Sequence, residues 1–231
     1  MIGPGIAVSG LNVVLGGRVV LDAIDINARA GEITLLIGHN GSGKSTLLRA
    51  LAGVVPFRAL ECSIGDDRNL GVDIALLQQD RNVFLYKRAL ENIAVGATHK
   101  FRPSSVEKRA VSSQVAQLFP QLKSVLLQNC SELSGGFRQL VALCRVLLSP
   151  AKIVLLDEPT VGLSGEVPEI VFDAILQRIR KNNSVAIVAE HNISSAARFV
   201  QKVYVLNEGR IRYSGSPDIL TDRDRLRDVY L

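Results

Sequence analysis

The segment Gly38-His39-Asn40-Gly41-Ser42-Gly43-Lys44-Ser45 has the residue types and spacing that hold a polyphosphate. It fits GxxxxGK[ST], in which the glycines let the backbone curl so that successive N–H groups point inward at phosphate oxygens. Lys44 supplies a point charge for the β- and γ-phosphates, the Ser45 hydroxyl is placed to ligate Mg²⁺, and Thr46 carries the loop into a helix whose positive end adds attraction. An accidental glycine-rich turn would lack the context present here. A short apolar run, Ile33–Ile37, leads into the loop, and a helical pattern from Ser45 to Ala52 follows, with Gly53 as its stop. His39 reads as an exposed filler position. ATP is the expected ligand and its hydrolysis the expected chemistry.

Two carboxylates stand where such chemistry needs them. The apolar run Ile153-Val154-Leu155-Leu156 goes straight into Asp157-Glu158. Alone, this reads as a solvated strand end. Joined to the phosphate loop, Asp157 becomes the residue that holds Mg²⁺ through water opposite Ser45, and Glu158 the one that polarises the attacking water. A third run, Val185–Val188, ends at Glu190-His191. A lone histidine is more often structural, but this one follows a strand end like the others. Ligands of open parallel sheets bind beyond the carboxyl ends of the strands.

Apolar segments that alternate with helical patterns imply an α/β fold with a mostly parallel sheet. Leu140, Leu143, Cys144 and Leu147 fall at helical spacing before Pro150, and Ile170, Val171, Ala174, Ile175 and Ile179 mark a second amphipathic helix. The tail reads as a hairpin, Val203–Leu206 with Arg210–Tyr213, followed by a capping Ser216 and Pro217 at a helix start. At 231 residues and 47% apolar content the chain builds a real core, so disorder is excluded. No run approaches the roughly 18 apolar residues of a membrane-spanning helix. The start, Met1 to Ile6, lacks the basic and apolar regions of a signal peptide, and a cytoplasmic location is expected. Cys62, Cys130 and Cys144 form no CxxC pair, so neither a disulfide framework nor zinc is implied, and Cys144 reads as a buried thiol. The net charge of +5 is scattered and tryptophan is absent, so no nucleic acid partner is expected.

Leu133-Ser134-Gly135-Gly136-Phe137 resembles the LSGGQ signature of ATP-binding cassette (ABC) proteins. The order around it matches too: the phosphate loop, Gln79 in ALLQQDRNVF, the signature, IVLLDEPTVGL, and His191 in VAEHN. The resemblance covers nearly the whole chain. It implies a phosphate-loop NTPase (RecA-like) core with a small antiparallel β subdomain and a helical subdomain. The single cassette domain 1–231 would divide at about 1–79, 80–140 and 141–231. It further implies a head-to-tail dimer holding two ATP molecules, each between one subunit's phosphate loop and the other's signature. Ser134 and the backbone of Gly135 and Gly136, at a helix N-terminus, would make the anion site of that signature. Gln79 would sense Mg²⁺ and the γ-phosphate, His191 would contact the γ-phosphate, and Glu158 would be the catalytic carboxylate. The helical subdomain would touch membrane permease subunits, which would hold the protein at the inner face of the membrane. The segments QLFPQLKSVLLQNCSELSGG and RLRDVYL resemble the ATPases of branched-chain amino acid importers, with urea and amide importers equally similar. Lipopolysaccharide-export ATPases share the terminal pattern.

Four departures from the family pattern stand out. Leu15 takes the place of the aromatic that stacks on adenine, which predicts weak affinity and poor discrimination between ATP and GTP. Phe137 replaces the usual Gln or Glu of the signature and Ser164 a common Asp. The stretch from Gly53 to Gln79 is short, which suggests a trimmed β subdomain. The last three together suggest a heterodimer with unequal sites. The alternatives to a transport motor are a non-transport cassette ATPase, such as an iron–sulfur assembly protein, and a regulatory nucleotide-binding module with negligible turnover. The presence of both Glu158 and His191 argues against the last.

Overall fold

The computed structural model describes residues 5–65, 74–79 and 83–230. The expectations for Met1–Pro4, for 66–73 of the β subdomain, for the 80–82 start of the helical subdomain and for Leu231 lie outside the described residues.

Two sheets form the framework. A three-stranded antiparallel sheet, order β2-β1-β4, joins β1 (Ile6–Leu15), β2 (Arg18–Ala28) and β4 (Glu61–Ile64). A six-stranded sheet runs β5-β6-β7-β3-β8-β9, with β3 (Ile33–Ile37), β5 (Ile74–Leu77), β6 (Ile153–Asp157), β7 (Val185–Ala189), β8 (Lys202–Asn207) and β9 (Arg210–Gly215). Its pairs are parallel except β8 with β9, the hairpin expected from the sequence.

The central strands read as continuous apolar runs because both faces are covered. On β3, Ile33, Leu35 and Ile37 face one core and Leu36 faces the other, and all four are fully buried. The first core packs the sheet against α2 (Ala89–Thr98), α3 (Ser105–Leu118), α4 (Gly135–Leu147) and α5 (Val167–Asn182). The second holds α1 (Lys44–Leu51) between the large sheet and the antiparallel sheet. The short α6 (Ile193–Ala196) follows β7, and α7 (Arg223–Tyr230) ends the described chain.

Helix boundaries follow local chemistry. Ser104 caps α3 in a reciprocal box with Glu107, and Ser134 caps α4 by accepting the Phe137 N–H at 3.4 Å. The α4 helix runs unbroken through residue 140. Cys144 is fully buried on it, and burial pushes its thiol pKa up. Arg178 of α5 is 6% exposed and ties the end of α4 to the start of β6. Its guanidinium donates to the carbonyls of Leu147, Ser149 and Ala151 and to the Ser184 hydroxyl.

Candidate active site

Register brings the chemistry to one edge. Leu36 of β3 pairs with Ala189 of β7, Ala189 pairs with Asp157 of β6, and Leu77 of β5 pairs with Leu156. Gly38, Gln79, Glu158 and His191 therefore all leave the sheet at the same carboxyl edge, the side where parallel sheets bind ligands.

The loop after β3 has no room for side chains where it turns. A Cβ on Gly38 would stand 2.1 Å from the Leu206 carbonyl oxygen, and Gly43 adopts φ 109°, a region L-residues avoid. Lys44, the first residue of α1, is 5% exposed, and its Nζ donates to the carbonyls of Gly38 (2.8 Å) and His39 (3.0 Å). The ammonium thus lies folded across its own loop. Burial lowers its pKa, and the carboxylates of Glu158, Asp157 and Glu190 oppose that shift.

Asp157 is buried and accepts a hydrogen bond from Ser45. Burial raises its pKa, the Ser45 bond opposes this, and Oδ1 is left without a hydrogen-bond partner among the described residues. A buried orphan carboxylate oxygen beside a hydroxyl is a donor set that suits a hard cation such as Mg²⁺. Among the described residues no cluster of three His, Cys, Asp or Glu could hold a metal by itself. Such a cation would draw further ligands from substrate phosphates, as Mg²⁺ commonly does.

Glu158 follows at φ 49°, a left-handed conformation uncommon outside glycine. Its two carboxylate oxygens are held separately: Gln79 Nε2 donates to Oε2 at 2.9 Å, and His191 Nε2 lies 3.0 Å from Oε1. Gln79, Glu158 and His191 line one cavity of about 430 Å³ with Asn40, Gly41 and Gly43 to Thr46. His39 and Gly38 line an adjoining cleft that also reaches His191. Ser42 is buried within the loop, and its hydroxyl has no hydrogen-bond partner among the described residues.

Other expected site residues stand apart. Ser134, Gly135 and Gly136 do not line this cavity and sit at the exposed start of α4. Leu15 is 40% exposed at the end of β1, and Val20 of β2 forms the cavity wall instead. Two residues escaped the sequence reading. Gln139 of α4 donates to the carbonyls of Glu158 (3.2 Å) and Pro159 (3.0 Å), and buried Glu190 accepts from Thr160, His191 and Asn192. Their partners lie 19 to 30 residues away for Gln139 and Thr160, so no local pattern announces them. The one signal for Glu190 was a carboxylate at the end of a fully apolar strand.

A phosphate loop between β3 and α1, with acidic residues at the end of β6, defines a nucleoside triphosphatase of the α/β class. Residues 21–161 match the family described as ABC transporter, and the chain belongs to that family. It is an ATP-binding, ATP-hydrolysing cassette. It is 31% identical to the high-affinity branched-chain amino acid transport ATP-binding protein BraG of Pseudomonas aeruginosa, over 91% of this chain and 92% of that one. It is 34% identical to the hemin import ATP-binding protein HmuV of Streptomyces coelicolor, over 97% and 82%. With the phosphonates import ATP-binding protein PhnC of Shigella dysenteriae it shares 32%, over 91% and 88%. The solved ATP binding subunit of an ABC transporter superposes with a TM-score of 0.81 at 22% identity, covering 97% of both chains. A dimeric bacterial ABC transporter cassette gives 0.78 at 24%, covering 92% of this chain and 98% of that one. The expected cassette fold, a mostly parallel sheet with an antiparallel β subdomain and helices, is thereby borne out.

Proposed function

We propose that this chain is the motor of a membrane importer, working as one of two cassettes on permease subunits and driving uptake of branched-chain amino acids or a related small polar solute. The observation that carries the motor reading is the two-sided hold of Gln79 and His191 on Glu158, at the mouth of the phosphate loop. Likeness to BraG over nearly the full length of both chains supports the solute class. An apolar patch on the helical side supports a protein partner there. Tyr86 is 93% exposed and Phe101 62%, and Phe101 meets Phe84 edge-on at 6.3 Å.

In this reading Glu158 orients a water in line with the γ-phosphorus and draws its proton as the new P–O bond forms. The bond to the β–γ bridging oxygen breaks, and ADP and orthophosphate leave. Lys44 exchanges its two loop carbonyls for phosphate oxygens and offsets the charge on the leaving group. His191 contacts the γ-phosphate and keeps the Glu158 carboxylate turned toward it. Ser45, Asp157 and Gln79 would hold Mg²⁺, which when bound neutralises charge on the β- and γ-oxygens. Ser134, Gly135 and Gly136 would serve the nucleotide of a second cassette, so the site is completed in trans.

The test is turnover of the purified chain beside Glu158→Gln over a range of protein concentrations, with recovery of membrane proteins in detergent. Steeply concentration-dependent turnover that vanishes in the variant, and a co-purifying membrane protein, support the reading. Turnover without a membrane partner favours a non-transport cassette. Flat, negligible turnover in both chains points to a missing partner subunit or to a regulatory module.

A further inference from the structure

Glu190 is 4% exposed, forms no ion pair among the described residues although its charge acts on Lys44, and is absent from the catalytic steps above. Its carboxylate is instead saturated by donors from two segments. Oε1 accepts the Thr160 N–H at 3.0 Å and the Thr160 hydroxyl, and Oε2 accepts the N–H groups of His191 (2.8 Å) and Asn192 (3.2 Å). A buried carboxylate held by four donors restrains their mutual geometry, because each donor lost leaves the buried charge less well compensated. The two segments are the turn after β6 and the turn that carries His191.

The first of these turns also touches the start of α4. A Cβ on Gly136 would meet the Gly162 carbonyl oxygen at 3.3 Å and the Leu163 side chain at 3.6 Å. Gln139, one turn along α4, holds the Glu158 and Pro159 carbonyls. A continuous set of contacts therefore runs from Gly136 through residues 158–163 and Glu190 to His191, whose ring reaches back to Glu158 at 3.0 Å. Val161 at its middle is 46% exposed.

We propose that Glu190 is a positioning residue that locks His191 to the turn at Thr160, so that whatever engages the start of α4 sets the His191–Glu158 contact of the same chain. This rests on the reading of Glu158 and His191 as the hydrolytic pair. The occupant of α4 would be the nucleotide bound by a second copy, and Glu190 would be one physical link between the two sites. Glu190→Gln tests the link because an amide of the same shape retains one acceptor oxygen and places a donor against two N–H groups. Displacement of a catalytic group by about 1 Å costs up to roughly a hundredfold in rate.

The experiment measures steady-state ATPase of the full chain for wild type, Glu190→Gln, Thr160→Val and the double variant, with ring NMR signals of His191 in the nucleotide-free protein. The His191 signal is identified by its absence from His191→Asn. The expected result is a kcat lower by about tenfold or more in Glu190→Gln, with KM for ATP within about twofold. The Thr160→Val change should add little on top of it, and the His191 ring signal should shift. Additive losses, a change confined to KM, or an unmoved His191 signal would overturn the proposal. If wild type shows no turnover, the hydrolytic reading itself fails, and the NMR arm alone decides whether Glu190 positions His191.

Discussion

Glu158 and His191 stand 3.0 Å apart, Oε1 to Nε2, although 32 residues of chain and an entire helix separate them. The contact exists because β6 and β7 are paired in parallel with Asp157 opposite Ala189, and the Glu158 N–H bonds the Ala189 carbonyl at 2.9 Å. The sheet therefore fixes the distance before any ligand arrives, and the carboxylate needs little reorganisation to receive a water.

Glu158→Gln should cut ATP turnover by roughly 10²–10⁴-fold, the usual worth of a general base, and leave ATP binding nearly intact. The amide keeps the shape but cannot draw a proton. Turnover and equilibrium nucleotide affinity measured on one preparation check this, and a parallel loss of affinity would show that Glu158 acts in binding.

Asp157 gives a pH-dependent prediction. Its pKa in the fold is raised by burial, so the folded state holds its proton more tightly than the unfolded chain does. Such a group withdraws stability as pH rises through the folded pKa and returns it as pH falls. In the nucleotide-free protein, Asp157→Asn removes that cost and should melt at a higher temperature than wild type at neutral pH. The gap should close as pH falls through the carboxylate range. The same variant should gain far less stability from ATP with Mg²⁺ than wild type does, because a neutral amide replaces the charged carboxylate whose unpartnered Oδ1 suits the cation. Calorimetry at pH 7 and pH 4 decides it, and equal melting at both would refute the assigned burial cost.

What was legible in the sequence was the chemistry carried by contiguous residues. The phosphate loop, the acids after Ile153–Leu156 and the capping Ser216 each declare themselves within a few positions, and strand β7 was found within one residue of its end. The supports of the site were not legible. Gln139 acts on carbonyls, and Glu190 on Thr160, brought near by sheet register and helix packing, and a glutamate beside a more conspicuous histidine looks like solvated surface. Asn92 is a further case. It is fully buried, accepts the Phe84 N–H at 2.6 Å, and donates to the carbonyls of Phe84 and Arg88, which shapes the loop under the exposed aromatic patch. Asparagine in a helix carries no such message until its neighbours are known.

Arg178 gives a prediction on the scaffold. Its side chain satisfies three backbone carbonyls and the Ser184 hydroxyl in a region sealed from water. Arg178→Ala leaves those acceptors bare and opens a void, and should cost about 3 kcal/mol or more. Urea unfolding should show a lower midpoint with an unchanged slope. A shift below about 0.5 kcal/mol would mean that the carbonyls find other donors.

Leu15 tests nucleotide recognition. It stands 40% exposed where the resemblance expects an aromatic, with the Gly16-Gly17 turn beyond it. Leu15→Tyr offers a ring for the base to stack on, and base–aromatic stacking is worth about 1–3 kcal/mol. ATP affinity should rise by roughly tenfold, with Lys44-dependent phosphate binding unaltered. Titration with ATP and with tripolyphosphate separates the two, and an equal gain for tripolyphosphate would place the effect in the loop.

The aromatic patch supplies the test of the membrane partner. Tyr86 is nearly free of protein contact, and Phe101 is flanked by Phe84 and by Lys87, whose Nζ lies 4.4 Å from the ring centroid. Apolar surface of this kind is stable in water only at a cost that a partner removes, and aromatic anchors dominate such contacts. Tyr86→Asp leaves the core untouched because the side chain is already exposed, so the fold and nucleotide binding should match wild type. Docking should fail, since a buried, unpaired carboxylate at the centre of an interface costs several kcal/mol. Co-purification of membrane protein with tagged wild type and variant, alongside ATPase of each free chain, reads both effects. Loss of the membrane protein with free-chain turnover intact assigns the patch to the permease. Equal recovery from both chains would move the docking surface elsewhere on the helical side.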